Sequence, residues 1–239
     1  FLVSLGLSMA QVYLTQAVFA LTALVLEVPT GAFADRYGRK RSIIIGAAVL
    51  AAASVGYCFV SNFSQILLVE FLWGVGVSFI GGADNALLYD TLESLRLRGK
   101  FTREQGRIQF WQRLCEASAG IMGGLLAVIS LRTPFYVQVA LSAVLLIVAV
   151  SLIESPLKQG RASSLAGHAR ESVEYSLRVP RLRWLILLSA TLTATTMTAY
   201  WLTQPLLLAL GIPLGLFGFV FALSALGAAA LGWWAYRLG

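Results

Sequence analysis

Ionisable residues interrupt long apolar stretches of this 239-residue chain at five positions: Glu27, Glu70, Asp84, Arg113 and Glu116. A charged group in hydrocarbon costs about 2.5–3.5 kcal/mol on insertion scales, so such residues are expected to bind a proton or to pair. Arg113 and Glu116 can pair on one helix face, and mutual neutralisation and a role in coupling are equal alternatives for them. Asp84 follows two glycines, and we expect it to face an interior cavity and to exchange a proton. The candidates for proton coupling are Asp84, Glu27, Arg113 and Glu116.

Polar and aromatic side chains on the same stretches predict the lining of a substrate cavity. Five threonines lie between positions 191 and 198, and Tyr200 and Gln204 follow them. A threonine hydroxyl in a membrane helix most often bonds to the preceding turn, which is the main alternative to a role in binding. The cavity candidates are Asn85, Trp111, Thr195, Tyr200 and Gln204.

Motifs of other chemistries are missing from the sequence. It contains no His-Glu-x-x-His, no Gly-x-Ser-x-Gly and no glycine loop for nucleotides, so an intramembrane enzyme is disfavoured. Cys58 and Cys115 lie in apolar stretches, which predicts no metal and no cofactor. The 18 Lys and Arg residues give a net charge of +7. They fall into short clusters rather than onto one face, so no nucleic-acid partner is expected.

The apolar stretches are long enough to cross a bilayer. Hydrophobic residues make up 58% of the chain and charged residues 12%, whereas a soluble domain carries about 25% charged residues. A span needs about 20 residues at a rise of about 1.5 Å each. Seven runs have this length: 10–34, 42–61, 63–90, 108–130, 134–153, 184–204 and 213–235. The sequence therefore predicts an all-α, multi-pass membrane protein.

The basic residues predict the orientation of these helices. Clusters of Lys and Arg follow the first, third and fifth runs, whereas the alternate loops contain a single basic residue, Arg132. The clustered loops are therefore expected in the cytoplasm, including the long hydrophilic segment 154–183. Residues 165–177 of that segment form an amphipathic pattern that could lie on the inner membrane surface. Glu70 would lie nearer the outer end of its helix and touch interfacial water.

Two segments of the chain resemble each other. Residues 18–24 read VFALTAL and residues 220–226 read VFALSAL, and the segments 31–38 and 232–239 align after them. Both copies end a helix at the basic side. Parallel repeats of this kind are typical of transporters built from two similar halves around a midplane site.

The junction after the first run carries an eleven-residue motif, Gly31-x-x-x-Asp35-Arg36-x-Gly38-Arg39-Lys40-Arg41. Gly31 would let another helix approach closely. Asp35 would pair with Arg39 and with the positive N-terminus of the next helix, and Gly38 would make the tight turn. The expected conformational latch comprises Gly31, Asp35, Arg36, Gly38, Arg39, Lys40 and Arg41, together with Asp90 near the inner surface.

This motif resembles the signature between the second and third helices of the major facilitator superfamily. The resemblance implies a twelve-helix fold of two repeats, of which this chain would contain helices two to eight, truncated at both ends. The resemblance also implies that the chain is divided into three parts. Residues 1–153 would form the N-terminal half from the end of helix one to helix six, residues 154–183 a cytoplasmic linker, and residues 184–239 the start of the C-terminal half.

The resemblance further implies a function. It points to a proton-coupled secondary transporter in the plasma (inner) membrane that exports small amphipathic molecules by alternating access. Its partners would be protons, a small-molecule substrate and the lipid bilayer. Gly120-Ile121-Met122-Gly123-Gly124 partly matches a glycine-proline-x-x-glycine-glycine signature of drug–proton antiporters, and Glu70 replaces an arginine that often precedes Gly74 in this family. An uptake symporter of a small solute and a non-transporting scaffold or sensor remain as alternatives.

Overall fold

The computed structural model describes residues 1–154 and 178–238. These residues form eight α-helices: α1 (Met9–Tyr37), α2 (Arg39–Phe59), α3 (Phe63–Gly81), α4 (Ala83–Ser94), α5 (Phe101–Ile129), α6 (Thr133–Ser151), α7 (Pro180–Ala209) and α8 (Leu214–Leu238). No β-strand occurs in the described ranges. The all-α architecture expected from the apolar runs is confirmed.

Within the part of the chain that the structure describes, five helical segments are long and apolar enough to cross a membrane: Met9–Tyr37, Arg39–Phe59, Phe63–Ser94, Thr133–Ser151 and Pro180–Ala209. They correspond to five of the seven predicted runs. The run predicted at 108–130 also forms a long helix, α5, but charged residues such as Arg113 and Glu116 make it less apolar. The run predicted at 213–235 forms α8.

Local sequence signals explain where these helices begin and end. Before α1, the Ser8 hydroxyl accepts a hydrogen bond from the Gln11 backbone N–H, and the Gln11 side chain accepts one from the Ser8 N–H. This reciprocal pair satisfies two N–H groups that have no partner inside the helix. Asn62 caps α3 in the same way, through the backbone N–H of Gln65 at 3.0 Å.

The described helices belong to two compact units. The first comprises Phe1–Glu104 and Leu131–Ala162, and the second comprises Gln105–Ser130 and Ser163–Gly239. Most of α5 therefore belongs with α7 and α8, whereas the sequence assigned it to the N-terminal half. The division at residues 153 and 183 stays a prediction, and the amphipathic pattern at 165–177 lies outside the described residues.

Close helix packing in the first unit depends on glycine. There α3 packs against both α1 and α2, and α2 also packs against α6. A Cβ atom on Gly74 would lie 2.9 Å from the carbonyl oxygen of Phe19, and one on Gly46 would lie 2.7 Å from that of Gly76. Small residues commonly allow such approaches where lipid supplies no hydrophobic drive. The close approach expected at Gly31 is not observed within the described residues, because no atom of another helix there lies within 4 Å of a Cβ placed on Gly31.

Glycines also bring α5 and α8 together in the second unit. A Cβ on Gly124 would lie 3.1 Å from the backbone nitrogen of Gly218, and a Cβ on Gly218 would collide with the carbonyl oxygen of Gly120. The glycine-rich pattern at 120–124 therefore lies where α5 packs against α8.

The continuous helix predicted at 63–90 is wrong in one respect, because it breaks at Gly82. Helix α3 ends at Gly81 and α4 begins at Ala83. Each glycine costs a helix about 1 kcal/mol relative to alanine, so two adjacent glycines weaken it locally. Asp84 therefore lies in the first turn of α4 and not in the middle of a long helix.

Candidate functional site

The junction of α1 and α2 brings the predicted latch residues together. Gly38 alone separates the two helices, and its φ of +113° is a conformation that glycine adopts without strain. This turn places Asp35, in the last turn of α1, beside Arg39 at the start of α2, and the two side chains form an ion pair. The Nε atom of Arg39 lies 3.6 Å from the Oδ2 atom of Asp90 on α4. One guanidinium thus connects three helices.

A further carboxylate, which the sequence analysis missed, completes this group. Glu154 follows the end of α6 and accepts hydrogen bonds from the backbone N–H groups of Arg39 and Lys40, each at 3.0 Å. These are the first two N–H groups of α2, where a negative charge is favoured. Asp35, predicted to pair with both Arg39 and this N-terminus, pairs with the Arg39 side chain. A lone acid 115 positions away offers no sequence signal for the contact.

The other basic residues of the motif have different surroundings. The Arg36 guanidinium lies over the ring of Tyr37, 5.4 Å from its centroid. The Arg41 side chain is exposed. Within the described part of the chain, neither of these two residues forms an ion pair with an acid of the latch. Arg39 is therefore the basic residue of the motif whose side chain the acids contact.

Asp84, the first candidate for proton coupling, lies at the break between α3 and α4. Its carboxylate accepts a hydrogen bond from the backbone N–H of Asn85 at 2.6 Å, and both side chains are exposed. The backbone N–H groups at the start of α4 stabilise this charge. Its role in coupling stays a prediction.

Glu27 and Pro29 lie on a stretch of α1 that remains helical. The Glu27 side chain is exposed. The next turn is held by Thr30, whose hydroxyl lies 2.7 Å from the carbonyl oxygen of Leu26 and 2.9 Å from that of Ser78 on α3. The contact with Ser78 joins α1 to α3 one residue after Pro29.

Arg113 and Glu116 on α5 pair with each other, as their spacing predicts. The Nη1 atom of Arg113 lies 2.9 Å from Oε2 of Glu116, and Gln112 donates to Oε1 of the same carboxylate at 3.0 Å. Asp84 and Arg113 belong to different units.

The cavity candidates divide between the two units. Asn85 belongs to the first unit, and Trp111, Thr195, Tyr200 and Gln204 belong to the second. The Tyr200 ring lies 4.9 Å from that of Phe221 on α8. The Thr195 hydroxyl donates to the carbonyl of Thr191 at 2.8 Å, and Thr191, Thr196 and Thr198 make equivalent bonds. The expected bonding to the preceding turn is confirmed at these positions, which leaves Tyr200 and Gln204 as the stronger polar candidates.

The observed surroundings of Glu70 differ most from those predicted from the sequence. Its side chain is buried, at 5% exposure, rather than in contact with interfacial water. Gln16 of α1 donates to its Oε1 atom at 3.0 Å and Tyr57 of α2 donates to the same atom at 2.5 Å. No spacing rule relates residues this far apart in the chain, so the sequence could not reveal this cluster.

Comparison with known proteins finds a matching family and several relatives. The sequence profile of the Major Facilitator Superfamily matches residues 1–239. Quinolone resistance protein NorA of Staphylococcus aureus (strain MRSA252) is 29% identical over 158 residues, which cover 66% of this chain and 40% of that protein. Multidrug resistance protein 2 of Bacillus subtilis (strain 168) is 26% identical over 161 residues, covering 65% of this chain and 38% of that protein. The matched region thus spans about two fifths of each relative.

Proposed function

This chain belongs to the major facilitator superfamily, and from that premise we propose that it acts in a secondary active transporter that exports small amphipathic molecules. The chain is a multi-pass integral protein of the plasma (inner) membrane. Export is supported by the relatives, whose names describe resistance to quinolones and to multiple drugs. Because the matched region covers only part of those relatives, the activity and substrates of the whole protein are part of the proposal.

The latch is the observation that carries this proposal. Arg39 pairs with Asp35 and Asp90, and Glu154 holds the first turn of α2. Alternating access requires a contact that forms in one state and breaks in the other. Ion pairs at partly exposed positions suit such a contact, because each contributes only about 0.2–1 kcal/mol and can be exchanged for water. A group that served only to orient the helix would need the basic residues but not three acids around one of them.

Proton coupling is the second element of the proposal. Asp84 is the first candidate, with Glu27, Arg113 and Glu116 as alternatives. Asp84 is exposed at a helix break where a carboxylate could exchange a proton with a water-filled cavity. Tyr200, Gln204, Thr195, Trp111 and Asn85 would line the substrate path, and the segment 154–183 would face the cytoplasm.

Transport of a fluorescent amphipathic cation tests the proposal. Inside-out vesicles containing the full-length protein should accumulate the dye when the lumen is acidified. They should lose that ability with Asp35→Asn, whereas Glu93→Gln, which removes an acid of the exposed Glu93–Arg98 pair, should behave as wild type. Dye movement in the opposite direction would identify an uptake symporter. No movement with the wild-type protein, for this and other small solutes, would favour the scaffold or sensor.

A further inference from the structure

We propose that Glu70 is a reversible proton-binding site, separate from Asp84, that links the packing of α1, α2 and α3 to its protonation. The two acids are fourteen residues apart, which is on the order of 20 Å along a helix. The site therefore lies towards the opposite end of the first unit from the latch. Its role in transport rests on the proposed function, but proton binding itself does not.

The geometry of the two hydrogen bonds carries this inference. Gln16 and Tyr57 both donate to Oε1, and within the described residues no donor reaches Oε2. A carbonyl oxygen has two lone pairs and can accept both bonds when the acid is neutral. The proton then resides on Oε2. The two hydrogen bonds to Oε1 can therefore persist in either protonation state, which distinguishes the cluster from an ion pair that protonation would destroy.

No ion pair of Glu70 with a Lys or Arg side chain occurs within the described residues, which supports the same conclusion. Burying a carboxylate carries a large cost in free energy even after relaxation, and each hydrogen bond from a neutral donor returns a part of that cost. The two neutral donors thus compensate for an ionised Glu70 only in part. A buried carboxyl group whose charge is compensated only in part can both take up and release a proton.

On α1 and α2, the charged side chains lie far along the helix from the two residues that bond to Glu70. On α1, Glu27 is eleven residues from Gln16, and on α2, Arg41 is sixteen residues from Tyr57. These separations correspond to on the order of 16 Å and 24 Å along the helices. Arg132, which precedes α6, donates to the carbonyl oxygens of Cys58 and Val60 at the end of α2. Within the described residues, Gln16 and Tyr57 are therefore the groups whose hydrogen bonds reach Glu70.

The surroundings of Tyr57 explain how protonation would affect packing. Its ring stacks on that of Phe135, with centroids 4.9 Å apart, and meets the Trp73 ring edge-on at 6.0 Å. The hydroxyl that donates to Glu70 is thus fixed by aromatic contacts from α3 and α6. A change in the strength of its hydrogen bond is transmitted directly to these helices, because an ionised acceptor binds a donor more strongly than a neutral one.

Infrared difference spectroscopy of the purified full-length protein tests the inference without a transport assay. Spectra recorded from acidic to mildly alkaline pH should contain a carboxylic-acid C=O band that disappears as the pH rises and is absent in Glu70→Gln. Glu93→Gln, which alters a partly exposed acid, should leave the band unchanged. In Tyr57→Phe the band should move to higher frequency, because the C=O group loses one of its two hydrogen bonds.

The outcomes separate the two proposals. A band absent at every pH, present at every pH, or unmoved in Tyr57→Phe would overturn proton binding at Glu70. If Glu70→Gln does not fold, the Tyr57→Phe shift alone assigns the band. A titrating band in a protein that transports nothing would overturn the transport function and leave the site intact. Transport by Glu70→Gln with the wild-type pH profile would show that the site has no part in coupling.

Discussion

The carboxylate of Glu154 accepts a hydrogen bond from the backbone N–H of Arg39, 115 positions earlier in the chain, at 3.0 Å. The contact joins the end of α6 to the start of α2, which Gly38 leaves without a side-chain cap of its own. The same arginine reaches Asp35 and Asp90 through its guanidinium. The backbone and the side chain of one residue are thus held by different acids, so either set of contacts can be weakened separately.

Replacing Glu154 tests the backbone contact. Glu154→Ala should lower the free energy of unfolding by about 0.5–2 kcal/mol, because the first turn of α2 loses its acceptor. Glu154→Gln should lower it less, since an amide oxygen still accepts a hydrogen bond but lacks the charge. Thermal melting in detergent measures both. The control is Glu93→Gln, which should change stability by less than about 0.5 kcal/mol; equal melting temperatures for all three variants would show that the contact does not stabilise α2.

The side-chain contacts of Arg39 are expected to control transport rather than folding. Asp35→Asn should reduce transport sharply, by about fivefold or more if a coupling of about 1 kcal/mol between states is lost, while protein remains in the membrane. Asp90→Asn should have a smaller effect, because its oxygen lies 3.6 Å from Arg39. Normal transport by Asp35→Asn at equal expression would remove the argument for a latch.

The latch and the helices could be predicted from the sequence because their signals are local. Asp35 and Arg39 are four residues apart around a glycine, and the apolar runs are continuous, so each follows from spacing alone. The clusters around Glu154 and Glu70 depend on residues brought together by helix packing, and no periodicity encodes them. The break at Gly82 was accessible in principle from the glycine pair, but the strong apolar character of the flanking residues masked it.

Close packing of α5 on α8 predicts a strong effect at one glycine. Gly218→Ala should lower the free energy of unfolding by about 1–3 kcal/mol, because the new methyl group would collide with the carbonyl of Gly120. Gly227→Ala on the same helix is the matched control, since no atom lies within 4 Å of its Cβ position, and it should be neutral or slightly stabilising. Melting curves of the two variants that coincide would contradict this packing.

Topology can be checked by labelling single cysteines. In a background lacking Cys58 and Cys115, a cysteine replacing Ser163 should react only from the cytoplasm, because the segment 154–183 contains six basic residues. A cysteine replacing Ser61, at the exposed turn between α2 and α3, should react from outside. An impermeant maleimide applied to intact cells distinguishes the two. Reaction of both cysteines from outside would overturn the predicted orientation and would place the latch on the outer side of the membrane.

Comparing substitutions of Asp84 and Glu116 tests which of these two acids couples transport to protons. Glu116 is already paired with Arg113 at 2.9 Å, whereas Asp84 is stabilised by the start of α4 and a backbone N–H. An acid held by dipoles can lose its charge without leaving a cation unpaired. We therefore expect Asp84→Asn to abolish transport driven by a pH gradient while sparing substrate binding. Asparagine has a similar shape to aspartate but no carboxylate that can bind a proton.

Glu116→Gln should have a smaller effect, because Gln112 and the new amide can still order that face of α5 and Arg113 becomes available to another acid. Flux driven by a pH gradient, measured beside equilibrium substrate binding in the same vesicles, separates coupling from recognition. A loss of both in Asp84→Asn would make Asp84 part of the substrate site instead. If Glu116→Gln is inactive and Asp84→Asn transports as wild type, the coupling acid lies on α5, where protonation of Glu116 would break its ion pair with Arg113.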